Sequence, residues 1–370
     1  MELDISLNKV KIIHMISILL GTRPEIIKMS PIIRECSKRG LDYNIIHSGQ
    51  HYSENMDKVF FDQLELPKPD YNLNVGSGTQ GVQTAKILCG CEEIFSDKRP
   101  DILLVQGDTN TVLAGALAAS KMGIKIGHVE AGLRSYYKEM PEEINRILTD
   151  HCSDYLFAPT QKSYDTLINE GISPQSVYIT GNTVADSLFQ NLSISDSKVN
   201  FKEDYLPKNS EYFLATIHRK ENVDDKSTLK EILDALSDIS KMYGMPVIYP
   251  IHPRSKKMIA EYNLSSEGIT FVDPLDYLTF IQAEKGAKLI LTDSGGVQEE
   301  ACILGVPCVT IRNNTERPET VDAGANILGG TKHDTIINAA ETMIKKKGNW
   351  KNPFGDGHSA EKIIDIIQRK

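Results

Sequence analysis

The chain is predicted to be α/β: two Rossmann-like lobes with parallel sheets and a cleft between them. Three observations predict this. Short apolar runs alternate with helical patterns almost throughout. The pattern lapses into a polar stretch from about Leu192 to Ser210 and then restarts. Reactive side chains also collect just past the apolar runs, where open α/β sheets bind ligands. A chain of 370 residues is too long for one typical core and suits two.

Taken in order, the first lobe (1–190) offers strands at Met15–Leu20, Tyr43–His47, Ile102–Gln106, Lys125–Glu130, Tyr155–Ala158 and Val177–Thr180. Runs that are nearly all apolar suit strands covered on both faces. Helical spacing marks Glu25–Lys38, Val82–Phe95 and Thr111–Lys121. Residues 1–14 precede the pattern. The run Ile12–Leu20 contains His14 and Ser17 and is far too short to span a bilayer. The polar stretch from Leu192 to Ser210 reads as an interdomain linker. The second lobe (191–355) follows, with strands at Tyr212–Ile217, Val247–Ile251, Ile269–Val272, Leu289–Thr292 and Cys308–Ile311. A last helix, about Ala360–Arg369, follows the Pro/Gly-broken segment Asn352–Gly357, and residues 356–370 are expected to pack back on the first lobe.

A net charge of −9 argues against a nucleic-acid or membrane-surface binder, so neither partner is expected. The six cysteines form no Cys-x-x-Cys, and without a signal peptide they read as buried thiols of a reducing cytoplasm. No two histidines lie at i, i+4 on one helix and none joins a cysteine cluster, so no metal is expected. Gly76-Ser-Gly78-Thr-Gln-Gly81 spells a dinucleotide fingerprint, with Asp97 at a plausible distance for a ribose contact. The preceding Asp70–Val75 is polar, however, and lacks the buried strand that fingerprint needs. No nicotinamide or other cofactor is expected.

The stretch Lys288–Glu300 organises the rest. Leu289, Ile290 and Leu291 form a buried strand; Asp293 or Ser294 caps a helix; Val297, Ala301 and Leu304 recur at helical spacing down to Gly305 and Pro307. Gly295 and Gly296 leave the backbone bare at the helix tip, where free N–H groups and the dipole favour an anion. Glu300, one turn in, can accept hydrogen bonds from a sugar's hydroxyls, and phosphate beside a diol suggests a nucleotide. An ordinary strand–turn–helix crossover would look similar.

Other candidates share that placement. Thr22-Arg23-Pro24-Glu25 follows the first strand, and Thr315-Glu316-Arg317-Pro318-Glu319 echoes it in the second lobe. Pro and Glu suit helix starts, whereas the Arg is not needed for one. Lys28, Gln50, His51, Asp108, Glu130, His218, Arg219, His252 and Arg254 also follow strands. Asp108, Glu130 and Glu142 or Glu143 give the first lobe three carboxylates, which crowding can drive to unlike protonation states. Asp108-Thr109 would also serve as an N-cap, and Glu142-Glu143 would also complement a helix dipole.

Together, Gly-Thr-Arg-Pro-Glu (21–25) with Lys28, Gln-Gly-Asp-Thr (106–109), His-Val-Glu-Ala-Gly-Leu-Arg (128–134) and Pro-Glu-Glu-Ile-Asn-Arg (141–146) resemble one family. So do Thr-Asp-Ser-Gly-Gly-Val-Gln-Glu-Glu (292–300) and Thr-Glu-Arg-Pro-Glu (315–319). The family is the non-hydrolysing UDP-N-acetylglucosamine 2-epimerases, and the resemblance covers essentially the whole chain after Met15. It implies a glycosyltransferase-B-type fold, a homodimer, an active site in the interdomain cleft, and UDP-N-acetylglucosamine, UDP-N-acetylmannosamine and UDP as ligands. It also implies a role in supplying N-acetylmannosamine-type sugars for surface polysaccharide or glycan synthesis. Arg23, Lys28, His218, Ser294, Gly295, Gly296 and Arg317 match positions that hold the diphosphate and its surroundings. Phe280 matches a uracil-side position and Glu300 the ribose-binding carboxylate. Asp108, Glu130 and Glu143, with His218, match the catalytic positions.

The implied chemistry suits these residues. Carbon 2 bears an acetamido group and is not beside a carbonyl, so its proton is hard to remove alone. Expelling UDP as that proton leaves gives 2-acetamidoglucal, and re-addition after protonation on the other face inverts the centre. One departure stands out. Some family members bind a second, activating UDP-N-acetylglucosamine near Gln-His-x-Gln, whereas here the segment is Gln50-His51-Tyr52-Ser53. Competing readings are a hydrolysing relative that releases N-acetylmannosamine, a UDP-sugar glycosyltransferase, and a nucleotide-sugar sensor without turnover; fold alone does not separate them.

Overall fold

A computed structural model describes residues 13–49, 54–206 and 210–369. The Gln50–Ser53 segment lies outside the described residues. Seven parallel strands form the first sheet: β1 (Met15–Leu20), β2 (Asp42–His47), β3 (Tyr71–Asn72), β4 (Ile102–Gln106), β5 (Lys125–Val129), β6 (Tyr155–Ala158) and β7 (Val177–Ile179). Six more form the second: β8 (Phe213–Thr216), β9 (Val247–Pro250), β10 (Ile269–Val272), β11 (Leu289–Thr292), β12 (Cys308–Thr310) and β13 (Asn326–Leu328). The chain divides into two compact units, between Ser187 and Leu188 and again between Phe354 and Gly355. Each unit holds one sheet, so the α/β architecture of two Rossmann-like lobes is what the chain adopts.

Strand order places the ligand-binding edges. The first sheet runs β3-β2-β1-β4-β5-β6-β7 and the second β10-β9-β8-β11-β12-β13. In each, the order reverses at one point: between β1 and β4, and between β8 and β11. Loops leave in opposite directions there and open a crevice at the strands' carboxyl ends. β1 and β4 are fully buried, and each sheet carries its own apolar core, around Leu19, Phe95, Leu103 and Ile126 in one and Phe213, Leu236, Leu291 and Val309 in the other.

Local chemistry accounts for the helix that leaves β1, Arg23–Arg39. Pro31 lies inside it and has no N–H for the Ile27 carbonyl. The Ser30 hydroxyl donates to that carbonyl instead, at 2.8 Å, and the helix continues. Gly40 ends it in the left-handed conformation, φ +64°, which a glycine adopts without strain.

Three expectations need correction. Leu192–Ser210 is not an open linker. Helix Thr183–Lys198 takes in its first residues and helix Phe201–Tyr205 a further part. The stretch reads as polar because most of its polar side chains lie on exposed faces of these helices, while Ser195 is wholly buried and donates to the Leu278 carbonyl at 2.6 Å. Two strands, β3 and β13, were not expected; at two and three residues they are too short for a hydrophobic period. The cysteines are all free, but only Cys36, Cys91, Cys302 and Cys308 are buried; Cys152 is half-buried and Cys89 exposed. Cys89 lies on helix Gln80–Asp97, whose buried residues are Gln83, Ile87, Cys91 and Phe95. Gly76 and Gly78 precede that helix and Gly81 lies in its first turn, and they follow only the two-residue β3. The last helix, Ser359–Gln368, packs on helix Arg23–Arg39, where Arg39 Nη1 meets Asp365 at 2.7 Å. Among the described residues no helix is long and apolar enough to cross a membrane.

Candidate functional site

The carboxyl ends of β1, β4 and β5 carry a linked set of charged groups. Glu25 is the keystone of the first loop. Its Oε2 accepts from the Gly21 and Thr22 amides (2.5 and 2.9 Å) and its Oε1 from the Thr109 hydroxyl (2.5 Å). It therefore caps its own helix and also ties the β1 loop to the β4 loop that bears Asp108. Gly21 admits no side chain: a Cβ would lie 2.2 Å from the Thr111 hydroxyl oxygen and 2.6 Å from that of Ser48. Arg23 projects from this loop with its guanidinium over the Phe60 ring, 5.4 Å from the centroid.

Burial outweighs the three hydrogen bonds on Glu25, and with a smaller push from Asp108 its carboxyl rises to about 7. The sign follows from linkage. The folded unit holds this proton more tightly than the unfolded chain, so the stability is fully present below the ordinary carboxylate range and lost as pH rises towards 7. Glu25→Gln keeps an oxygen for the two amides and offers Thr109 an N–H. It is expected to remove a fall of about 3 kcal/mol between pH 4.5 and 7. Denaturant melts of both proteins across that range check this, and equal slopes would refute it.

Glu130, just past β5, sits in the left-handed region, φ +69°, a conformation costing a non-glycine residue about 1–3 kcal/mol. Its surroundings hold it there. Lys28 Nζ lies 2.9 and 2.6 Å from its two oxygens, and Gln106 Nε2 donates at 2.5 Å. Both partners come from the elements flanking the switch point. The Glu130 side chain is only 4 % exposed, and Lys28 meets its charge with a charge-assisted pair.

Arg146 joins the other two carboxylates. Its Nε and Nη2 reach Asp108 Oδ2 at 2.9 and 2.5 Å, and its Nη1 reaches Glu143 Oε2 at 2.9 Å. Glu143 also accepts from the Ser135 amide and hydroxyl (2.8 and 2.9 Å) and the Tyr136 amide (2.9 Å). Burial pushes the Glu143 carboxyl up, but these donors together outweigh it and hold it below its ordinary value. Glu143 is thus saturated and 2 % exposed, whereas Asp108 is 31 % exposed and its Oδ1 accepts no hydrogen bond from the described residues. Behind them, His128 bonds Asp150 at 2.6 Å and the Gly107 carbonyl at 2.9 Å, buttressing the Asp108 loop.

In the second unit, Asp293 follows β11 but does not cap the helix after it. Instead its carboxylate crosses to the β8 loop, accepting from the amides of His218 (3.0 Å) and Arg219 (2.9 Å) and from Asn222 Nδ2 (3.0 Å). Burial raises Asp293, and His218 with these donors more than reverses it, leaving the carboxyl below its usual range. His218 Nδ1 lies 3.1 Å from Asp293 Oδ1, so its half-exposed ring turns Nε2 outward. Ser294 is the N-cap residue of helix Gly295–Leu304, although its side chain makes no cap bond. A Cβ on Gly296 would meet nothing within 4 Å, and one on Gly295 would only graze Arg317 Cγ at 4.0 Å. The helix tip is bare, as an anion site requires.

Three consecutive side chains of that helix account for the Gln-Glu-Glu run. Gln298 Oε1 takes the Thr315 hydroxyl at 2.5 Å, and Glu299 Oε1 pairs with Arg317 Nε at 2.8 Å, which together fix the Arg317 loop beside the tip. Glu300 faces Glu284 on helix Tyr277–Gly286. Phe280 is half-buried on the same helix, whose N-cap Asp276 accepts from the Leu278 and Thr279 amides.

The first unit therefore brings Arg23, Lys28, Asp108, Glu130 and Glu143 to its switch-point edge, and the second brings His218, Ser294, Gly295, Gly296, Glu300 and Arg317 to its own. Sequence reasoning missed Arg146, Gln106, Asp293 and Glu284 as functional groups. Arg146 left a readable trace, since Glu143 and Arg146 at i, i+3 share a helix face. Gln106 left another, as a polar residue closing an apolar strand. Among the described residues no cluster of His, Cys, Asp and Glu could hold a metal ion.

A family model described as UDP-N-acetylglucosamine 2-epimerase matches residues 34–368. A UDP-N-acetylglucosamine 2-epimerase of Methanocaldococcus jannaschii is 55 % identical over 359 residues, covering 95 % of this chain and 98 % of that one. The crystal structure of the M. jannaschii UDP-GlcNAc 2-epimerase in complex with UDP-GlcNAc and UDP is 54 % identical with a TM-score of 0.83, covering 96 % of this chain and 100 % of that one. The Neisseria meningitidis UDP-GlcNAc 2-epimerase bound to UDP-GlcNAc is 34 % identical with a TM-score of 0.84, again covering 96 % and 100 %. Likeness over the full length of such chains makes the fold glycosyltransferase-B-type.

Proposed function

The chain belongs to the UDP-N-acetylglucosamine 2-epimerase family and is an isomerase, and from that premise we propose that it interconverts UDP-N-acetylglucosamine and UDP-N-acetylmannosamine by elimination and re-addition of UDP. In the first step the carbon 2–hydrogen bond breaks as a base takes the proton. The electron pair forms the carbon 1–carbon 2 double bond, and the carbon 1–oxygen bond breaks with its pair leaving on UDP. In the second step a proton reaches carbon 2 on the opposite face, and the diphosphate oxygen re-forms its bond to carbon 1.

The single observation that carries this reading is the unequal setting of the three carboxylates. Asp108 keeps one oxygen open while Arg146 holds the other, which suits a base that must stay ionised. Glu130, paired with Lys28, suits the group that exchanges a proton on the other face. Glu143, fully engaged, suits fixing Arg146 rather than meeting substrate. The bare tip at Gly295–Gly296, the outward His218 Nε2 and Arg317 suit binding the diphosphate as its charge grows. The same reading carries Glu300 as the ribose acceptor, Phe280 beside uracil, a homodimer, and a place in supplying N-acetylmannosamine-type sugars for polysaccharide or glycan synthesis.

Proton NMR with UDP-N-acetylglucosamine in deuterated water, and no added cofactor, tests it. Deuterium at carbon 2 together with UDP-N-acetylmannosamine is the expected result. Free N-acetylmannosamine accumulating instead would mean the hydrolysing branch. An unchanged spectrum with binding confirmed would leave a transferase or a sensor.

A further inference from the structure

Glu284 is a buried carboxyl group that the reaction above does not use. It lies on helix Tyr277–Gly286, which packs against helix Gly295–Leu304, the bearer of Glu300. The side chain is wholly buried, and among the described residues no N–H or O–H donor reaches either of its oxygens. What faces it is the carboxyl of Glu300. Its other ionisable neighbours are the Tyr212 phenol and the buried Cys308 thiol. Tyr212 spends its proton on the Ala283 carbonyl at 2.6 Å.

An ionised carboxylate without a donor is untenable in such a place. Two carboxyl groups face to face are compatible only if one holds a proton and donates it to the other. The proton belongs on the more deeply buried partner: Glu284 is wholly enclosed, whereas Glu300 is half-buried. Burial, and the Glu300 charge beside it, drive Glu284 well above the ordinary carboxylate range.

We propose that Glu284 is a positioning residue for nucleotide recognition, a neutral acid that donates a hydrogen bond to one oxygen of Glu300 and so aims the other at the ribose hydroxyls. The proposal rests on the reading of Glu300 as the ribose acceptor. It assigns a role to a residue outside the motifs at the helix tip, and it explains why a carboxyl is kept where an apolar side chain would pack more cheaply.

The test compares UDP with 2′,3′-dideoxyuridine diphosphate by titration calorimetry, so that the ratio of the two affinities reports the ribose contact alone. The wild-type protein is expected to prefer UDP by about tenfold or more, the size of a hydrogen bond to a charged group. Glu284→Gln keeps an N–H for Glu300 and should keep the ratio. Glu284→Leu, or Glu284→Met of similar volume, removes the donor from an otherwise apolar place. Either should lower the ratio to about threefold or less while the melting temperature holds or rises. A merely structural role would lower the melting temperature and leave the ratio alone, and a Leu or Met variant with the wild-type ratio overturns the proposal. A wild-type protein that does not discriminate overturns the reading of Glu300 itself, which separates the two failures.

Discussion

Asp108→Asn is expected to lower kcat by about 10²–10⁴, the usual contribution of a positioned base, while UDP binding stays within about threefold. The substitution isolates the chemistry because it preserves the setting. The Asn oxygen can still accept from Arg146, which now bonds Oδ2 through Nε and Nη2. The Asn amide N–H₂ then occupies the position of the open oxygen and cannot accept a proton from carbon 2. Wash-in of deuterium at carbon 2 should fall in step with turnover, since one atom serves both. Glu130→Gln should differ. It removes the carboxylate that Lys28 pairs with and leaves the strained turn with one hydrogen bond fewer, so activity and stability should fall together. Turnover of Asp108→Asn within tenfold of the wild type would remove Asp108 from the role of base.

Why the carboxylates could be located from sequence but their roles could not is a matter of distance along the chain. A strand buried on both faces has to be apolar, so β4 and β11 end where the polar residues begin, and Asp108 and Asp293 stand out at those ends. The topology then puts such ends at a crevice. What the sequence does not display is who answers them. Arg146 meets Asp108 across 38 residues, Asp293 meets the His218 amide across 75, and Lys28 meets Glu130 across 102. Asp293 beside Ser294 looked like half of a helix cap, and its real partners lie on another strand's loop. Glu284 was invisible for a related reason. In Gln-Ala-Glu-Lys-Gly it reads as a solvated helix end, and only the packing of two helices turns it inward against a second acid. Short elements failed differently. β3 and β13 take their conformation from a parallel neighbour rather than from their own residues, so no local pattern announces them.

Arg146→Met is the second large effect, and it follows from the sharing of one guanidinium by two carboxylates. Removing that charge leaves the Asp108 carboxylate without its only hydrogen-bond donors among the described residues and Glu143 with one fewer. A loss of about 10² or more in kcat is expected, because the base is no longer held in place. The pH dependence distinguishes this from a folding defect. Glu143 sits below its ordinary value in the wild type, so it contributes stability present above the ordinary carboxylate range and lost as pH falls through its folded value. Without Arg146 that depression shrinks, and acid unfolding should begin at a higher pH. Arg146→Lys keeps the charge but not the fork that reaches both acids, and should recover the acid-unfolding midpoint more fully than the rate. A Met variant with reduced kcat but an unmoved acid-unfolding midpoint would mean that Arg146 orients these carboxylates without holding Glu143 below its ordinary value.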